Sequence, residues 1–113
     1  MRDSVIIGGQ KYIIERVESS EKLENRYDGR IFYDENKIYL SNNCEISYQD
    51  EILTHEIIHG LIEKSGVATL IKKANVDHEL VTEMLTNIFW NFLKDNTCFF
   101  INDVIEANSQ KGE

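Results

Sequence analysis

The chain has 113 residues, 42% of them hydrophobic and 28% charged, with a formal net charge of -8. This length fits one domain with a single modest core, and the composition is that of a globular chain, not a disordered one. The acidic balance argues against non-specific nucleic-acid binding, which needs Lys and Arg to displace counterions from phosphates. No segment is long enough to span a bilayer, and the apolar run Val5-Ile6-Ile7 is too short for a signal-peptide core. Cys44 and Cys98 form no Cys-x-x-Cys pair, so two reduced, buried thiols in a cytoplasmic protein are expected.

The first forty residues read as strands. Val5-Ile6-Ile7 runs into Gly8-Gly9, a hairpin signal, and then into Lys11-Tyr12-Ile13-Ile14-Glu15-Arg16-Val17, rich in β-branched and aromatic residues. The polar stretch from Glu18 to Glu24 reads as a loop or a short helical turn. Arg30-Ile31-Phe32-Tyr33 and Lys37-Ile38-Tyr39-Leu40 flank the polar Asp34-Glu35-Asn36 and predict a second hairpin. Together these segments predict a small N-terminal antiparallel sheet of three or four strands.

The second half changes period. Ser47-Tyr48-Gln49-Asp50 matches a helix capping pattern. Leu53, Ile57, Ile58, Leu61 and Ile62 then form one apolar side of a helix that Gly66 can stop. Residues Val67 to Ala74 fit a helical loop. A second main helix is expected from Asn75 or Asp77, either of which can cap it, to about Asp95. Leu80, Val81, Met84, Leu85, Ile88, Phe89 and Phe92 would be its buried face. Phe99 to Ile105 forms one more short apolar element, and residues 107–113 read as a flexible tail after a single domain over 1–106. The spacing of Trp90, Phe89, Phe92, Phe99 and Phe100 favours core packing over a partner surface. The fold class expected is α+β, a small sheet packed on two main helices that carry the functional site.

That site begins with His55-Glu56-Ile57-Ile58-His59. On a helix, histidines four apart lie on one face one turn apart, where both imidazoles reach one ion. Glu56 is then placed to act as general base on a metal-bound water, the His-Glu-x-x-His arrangement of zinc peptidases. A catalytic Zn2+ usually has three protein ligands and one open position. His78, Glu79 and Glu83 are the candidates for the third. Glu79 and Glu83 lie four apart on a stripe shared with Thr86 and Trp90.

Glu79 follows His59 after nineteen intervening residues, a spacing that resembles the gluzincin pattern, where a glutamate on the next helix completes the site. The resemblance favours Glu79 as third ligand and gives Glu83, one turn on, the role of holding a ligand imidazole through its other nitrogen. The exchanged assignment uses the same two residues. The motif His55-Glu56-Ile57-Ile58-His59-Gly60-Leu61, with Glu79-Leu80-Val81, Phe92-Leu93-Lys94-Asp95-Asn96 and the upstream Ile38-Tyr39-Leu40, resembles a family of short phage and prophage zincin-like proteins. It is more loosely similar to ImmA/IrrE-type metallopeptidases. The resemblance covers the chain to about Asn96 and implies a minimal zincin-like fold, a phage or prophage setting with a cytoplasmic location in the bacterial host, and peptidase activity.

The reaction expected is peptide-bond hydrolysis. Zn2+ held by His55, His59 and Glu79 would activate water, Glu56 would shuttle its proton to the leaving amine, and the metal would stabilise the oxyanion. Candidates for a further oxyanion donor are His78, Tyr33, Tyr39 and Tyr48. An edge strand near Ile31 to Leu40 could hold an extended peptide. The expected partner is a peptide or protein substrate, with neither nucleic acid nor membrane. The alternative is a metal-stabilised phage protein that binds a host or phage protein and cuts nothing.

Overall fold

Gly8 and Gly9 turn the chain with φ of 59° and 80°, a conformation open to glycine at little steric cost. They join β1 (Ser4–Ile7) to β2 (Gln10–Val17) in an antiparallel hairpin. The structure is a computed structural model that describes residues 3–18, 23–24 and 27–96. The tail, Cys98 and the apolar element from Phe99 to Ile105 lie outside the described residues. A second hairpin joins β3 (Gly29–Phe32) to β4 (Lys37–Ser41), its turn completed by Asn36 in the left-handed region.

The sheet order is β1-β2-β4-β3, and β2 pairs with β4 in parallel. The α+β class holds, but the sheet is mixed where a purely antiparallel one was expected. The reason lies in β4. Ile38, Tyr39 and Leu40 are consecutive and all buried, the pattern of an interior strand. β4 therefore sits between β2 and β3. The short β3 is only half-buried and takes the edge.

Three helices follow: α1 (Ile46–Ser65), α2 (Val67–Lys73) and α3 (His78–Asp95). Ile52 and Leu53 of α1 close the main core over Ile7, Tyr12, Ile14, Ile38 and Leu40. Ile58 and Ile62 pack with Ile71 of α2 in a second cluster, flanked by Val81 and Leu85. Gly66, at φ 83°, ends α1 as expected, and the segment read as a helical loop is the short helix α2. Asp77 caps α3 by accepting the Leu80 N–H at 3.0 Å. No helix among the described residues is long and apolar enough to cross a membrane.

Two local expectations fail. Ser47 does not cap α1; the N-cap is Glu45, without a side-chain hydrogen bond. Buried Gln49 ties down this end instead. Its amide donates to the Cys44 carbonyl at 2.8 Å, and its Oε1 accepts from Arg16 Nε at 3.1 Å. In α3 the assumed burial is inverted. Leu80, Met84, Ile88, Phe89 and Phe92 are exposed, while Thr82 and Thr86 are buried. Val81 and Leu85 alone of the predicted face are partly buried against the core. The cause is the partner surface. α1 divides its apolar residues between the sheet and the cluster with α2, and the strip it offers α3 also carries His55 and His59, which Thr82 and Thr86 meet from the inner side of α3.

Candidate metal centre

His55 and His59 stand one turn apart on α1, with ring centroids 4.7 Å apart and planes at 78°. Glu79, in the first turn of α3, reaches both. Its Oε1 lies 2.9 Å from His55 Nε2 and its Oε2 lies 3.1 Å from His59 Nε2. One donor atom from each of the three residues falls within 4.8 Å of the others. Donors held about 2 Å from one ion at tetrahedral angles would be about 3.3 Å apart, and the two contacts of Glu79, at 2.9 and 3.1 Å, are near that separation. The three residues can hold a metal ion.

The remaining imidazole nitrogens face α3. His55 Nδ1 lies 3.4 Å from Thr86 Oγ1, and His59 Nδ1 lies 3.5 Å from Thr82 Oγ1. The register is antiparallel: four residues forward on α1 meets four residues back on α3. The next step pairs Glu63 with His78, whose Nε2 is 3.9 Å from Glu63 Oε1. His78 is thus held away from the three-residue cluster, its ring stacked on His59 at 6° and 5.4 Å. Nor does Glu83 sit at an imidazole nitrogen. Its carboxylate lines the open cavity, while threonines occupy the places expected for it. The two threonines carry no motif; their offset from the histidines in an antiparallel helix pair was the available signal.

Glu56 points from the same turn of α1 toward β3 and is 7% exposed. Burial, with the Glu79 carboxylate second, pushes its pKa up to about 7; the Ile31 N–H, which donates to it, and the Arg30 charge pull the other way. Burial likewise lowers the pKa of His59, against the opposing pull of Glu79.

A cavity of about 470 Å³ opens beside the cluster, lined by Asp28, Tyr48, Glu51, His55, Glu56, Glu79 and Glu83 among others. A smaller one of about 210 Å³ shares His55, Glu56 and Glu79 and adds Tyr27, Arg30 and His59. Glu56 therefore borders both. Of the candidate oxyanion donors, Tyr48 reaches the larger cavity, with its hydroxyl 3.3 Å from Asp28. The Tyr39 hydroxyl donates to Glu35 at 2.9 Å, and Tyr33 packs edge-on against Tyr12. Tyr27 and Arg30 border the site without having been singled out in the sequence.

No known protein family matches this chain, and neither curated proteins nor solved structures show significant similarity to it.

Proposed function

We propose that the protein is a zinc-dependent metallopeptidase. The observation that carries this reading is the convergence of His55 Nε2, His59 Nε2 and the Glu79 carboxylate, with the buried Glu56 beside them. Two imidazoles and one carboxylate suit Zn2+, which when bound supplies a Lewis acid that polarises a carbonyl and acidifies water. Glu56 supplies the base. Its carboxylate takes a proton as water oxygen adds to the carbonyl carbon, then returns the proton to the nitrogen as the C–N bond breaks. A pKa drawn toward neutrality by burial suits both halves of that exchange.

The substrate side is consistent with an extended peptide. Among the described strands β3 pairs on one side only, with β4, and its Gly29 and Arg30 border the smaller cavity. The larger cavity is lined by five carboxylates and by no Lys or Arg, which favours substrates carrying positive charge near the reacting bond. A bacterial or phage cytoplasmic setting follows from the sequence resemblance alone.

The test compares wild type with Glu56→Gln on a mixed peptide library, both loaded with zinc. The expected result is hydrolysis by wild type and a loss of about 100-fold or more in the variant, with equal zinc content. Equal rates, or no hydrolysis by either, would remove the peptidase reading. A second reading, a metal-stabilised binding protein without catalysis, is favoured by one observation, the exposed apolar residues Leu80, Met84 and Ile88 on α3. It predicts zinc binding in both proteins with hydrolysis in neither.

A further inference from the structure

We propose that Thr82 and Thr86 are positioning residues that hold His59 and His55 in the tautomer with Nδ1 protonated, leaving each Nε2 lone pair for the metal. The inference rests on the metal-binding reading of the site and not on hydrolysis. Its basis is where each hydroxyl proton goes. The Thr82 hydroxyl donates to the His78 carbonyl at 2.9 Å, and the Thr86 hydroxyl donates to the Thr82 carbonyl at 2.7 Å. These are short bonds, each to the carbonyl four residues back in the helix. A hydroxyl has one proton, so once it is committed to that carbonyl only lone pairs remain for another partner. Toward the imidazoles the threonines can therefore only accept. A nitrogen facing an acceptor carries the proton in a neutral imidazole, and the other nitrogen is then bare.

The two bare nitrogens are the ones that meet at Glu79. Lone pairs of Nε2 atoms at 2.9 and 3.1 Å from carboxylate oxygens repel one another unless a proton or a metal cation stands between them. The threonines thus prepare both Nε2 atoms for a metal ion that displaces any proton held there. Both hydroxyls are screened from competing water, since Thr82 is fully buried and Thr86 is 4% exposed. The pairing is also one-to-one: the matched four-residue steps give Thr82 to His59 and Thr86 to His55. Glu83, by contrast, has no part in setting either imidazole.

The experiment uses the full chain, uniformly 15N-labelled and loaded with zinc. Long-range proton–nitrogen correlation spectra assign the protonation of each imidazole nitrogen, and competition with a chelator gives the zinc affinity. In wild type both histidines are expected to show a protonated Nδ1 and a metal-shifted Nε2. Thr82→Val should perturb His59 alone and Thr86→Val His55 alone, each weakening zinc by about tenfold to 100-fold. Thr82→Ser and Thr86→Ser keep the hydroxyl and lose the methyl, and each should return the spectrum and affinity to near wild type. Valine and serine variants that weaken zinc equally would show packing at work and overturn the proposal. So would unchanged spectra in the valine variants, or coordination through Nδ1. A wild type that takes up no zinc overturns the metal centre, and the positioning role with it.

Discussion

His59 and Glu79 meet at 3.1 Å through Nε2 and Oε2, across two helices that share no local sequence. The other oxygen of the same carboxylate meets His55 at 2.9 Å, so one side chain on α3 closes the pair on α1. This arrangement makes the third ligand testable. His59→Ala and Glu79→Gln are each expected to weaken zinc at least about 100-fold, since each removes one donor of a three-ligand set. Glu83→Gln, four residues on, should keep zinc near the wild-type level. Elemental analysis after dialysis against a weak chelator reads the result. Loss of zinc in Glu83→Gln with retention in Glu79→Gln would exchange the two roles.

The histidine half of that contact was legible from spacing, since a pair four apart on one helix shares a face, whereas spacing left His78, Glu79 and Glu83 open and the resemblance to the gluzincin pattern favoured Glu79. Gly66 and Asp77 were legible for a similar reason, since each acts on the backbone within a few residues. What stayed hidden depended on partners. A helix pattern shows which residues share a face and not which face turns inward, and α3 turned Thr82 and Thr86 inward with Val81 and Leu85. Thr82 and Thr86 belong to no motif, and only the antiparallel register sets them against the imidazoles. The parallel pairing of β2 with β4 was hidden likewise, although three consecutive buried residues in β4 mark an interior strand. Ser47 matched a capping pattern, but the N-cap fell two residues earlier, at Glu45, which leaves Ser47 inside the first turn of α1.

Glu56 gives the metal-free protein a pH dependence with a definite sign. Its pKa in the fold, about 7, lies above the ordinary 4.5, so between those values the folded chain binds more protons than the unfolded one. The Glu56 contribution to stability therefore falls as pH rises from about 4.5 to 7, by at most about 3 kcal/mol. His59 acts oppositely. Its pKa is depressed in the fold, so its contribution is lost as pH falls through the ordinary histidine range. The difference between Glu56→Gln and wild type isolates the first effect. In chelator-treated protein, urea unfolding should show the variant gaining stability over wild type as pH climbs from 5 to 8 (about 1–3 kcal/mol by pH 8). A difference that is flat with pH would mean that Glu56 is solvated.

Gly29 ties the edge strand to α1, the helix that carries His55, Glu56 and His59. A Cβ there would overlap Ile52 Cγ2, lie 3.3 Å from Leu40 Cδ2 and 3.5 Å from Glu56 Cγ. Gly29→Ala must push β3 away from α1 and is expected to cost about 1–3 kcal/mol. The same movement draws the Ile31 N–H from the Glu56 carboxylate, so hydrolysis should fall by more than lost folding accounts for. Gly9→Ala is the control. A Cβ at Gly9 meets nothing within 4 Å, and the residue strains only the turn, at about 1 kcal/mol. Denaturant titrations and rates on the folded fraction compare the two. Equal rates per folded molecule would separate β3 from the chemistry.

The outward face of α3 makes a prediction that a conventional amphipathic reading would reverse. Ile88 is 62% exposed and Met84 56%, whereas Thr82 is fully buried. If the helix packed through its apolar stripe, Ile88→Lys would bury a charge and cost several kcal/mol. In the observed packing the lysine stands in water, and the change is expected to stay within about 0.5 kcal/mol. Zinc content should be unaffected, because the substituted face points away from His55, His59 and Glu79. Met84→Lys should behave in the same way. Thermal unfolding of the two variants, with metal analysis of each, distinguishes the packings. A loss above about 2 kcal/mol in either would mean that this face is covered in solution, and would favour the reading in which α3 serves a binding surface.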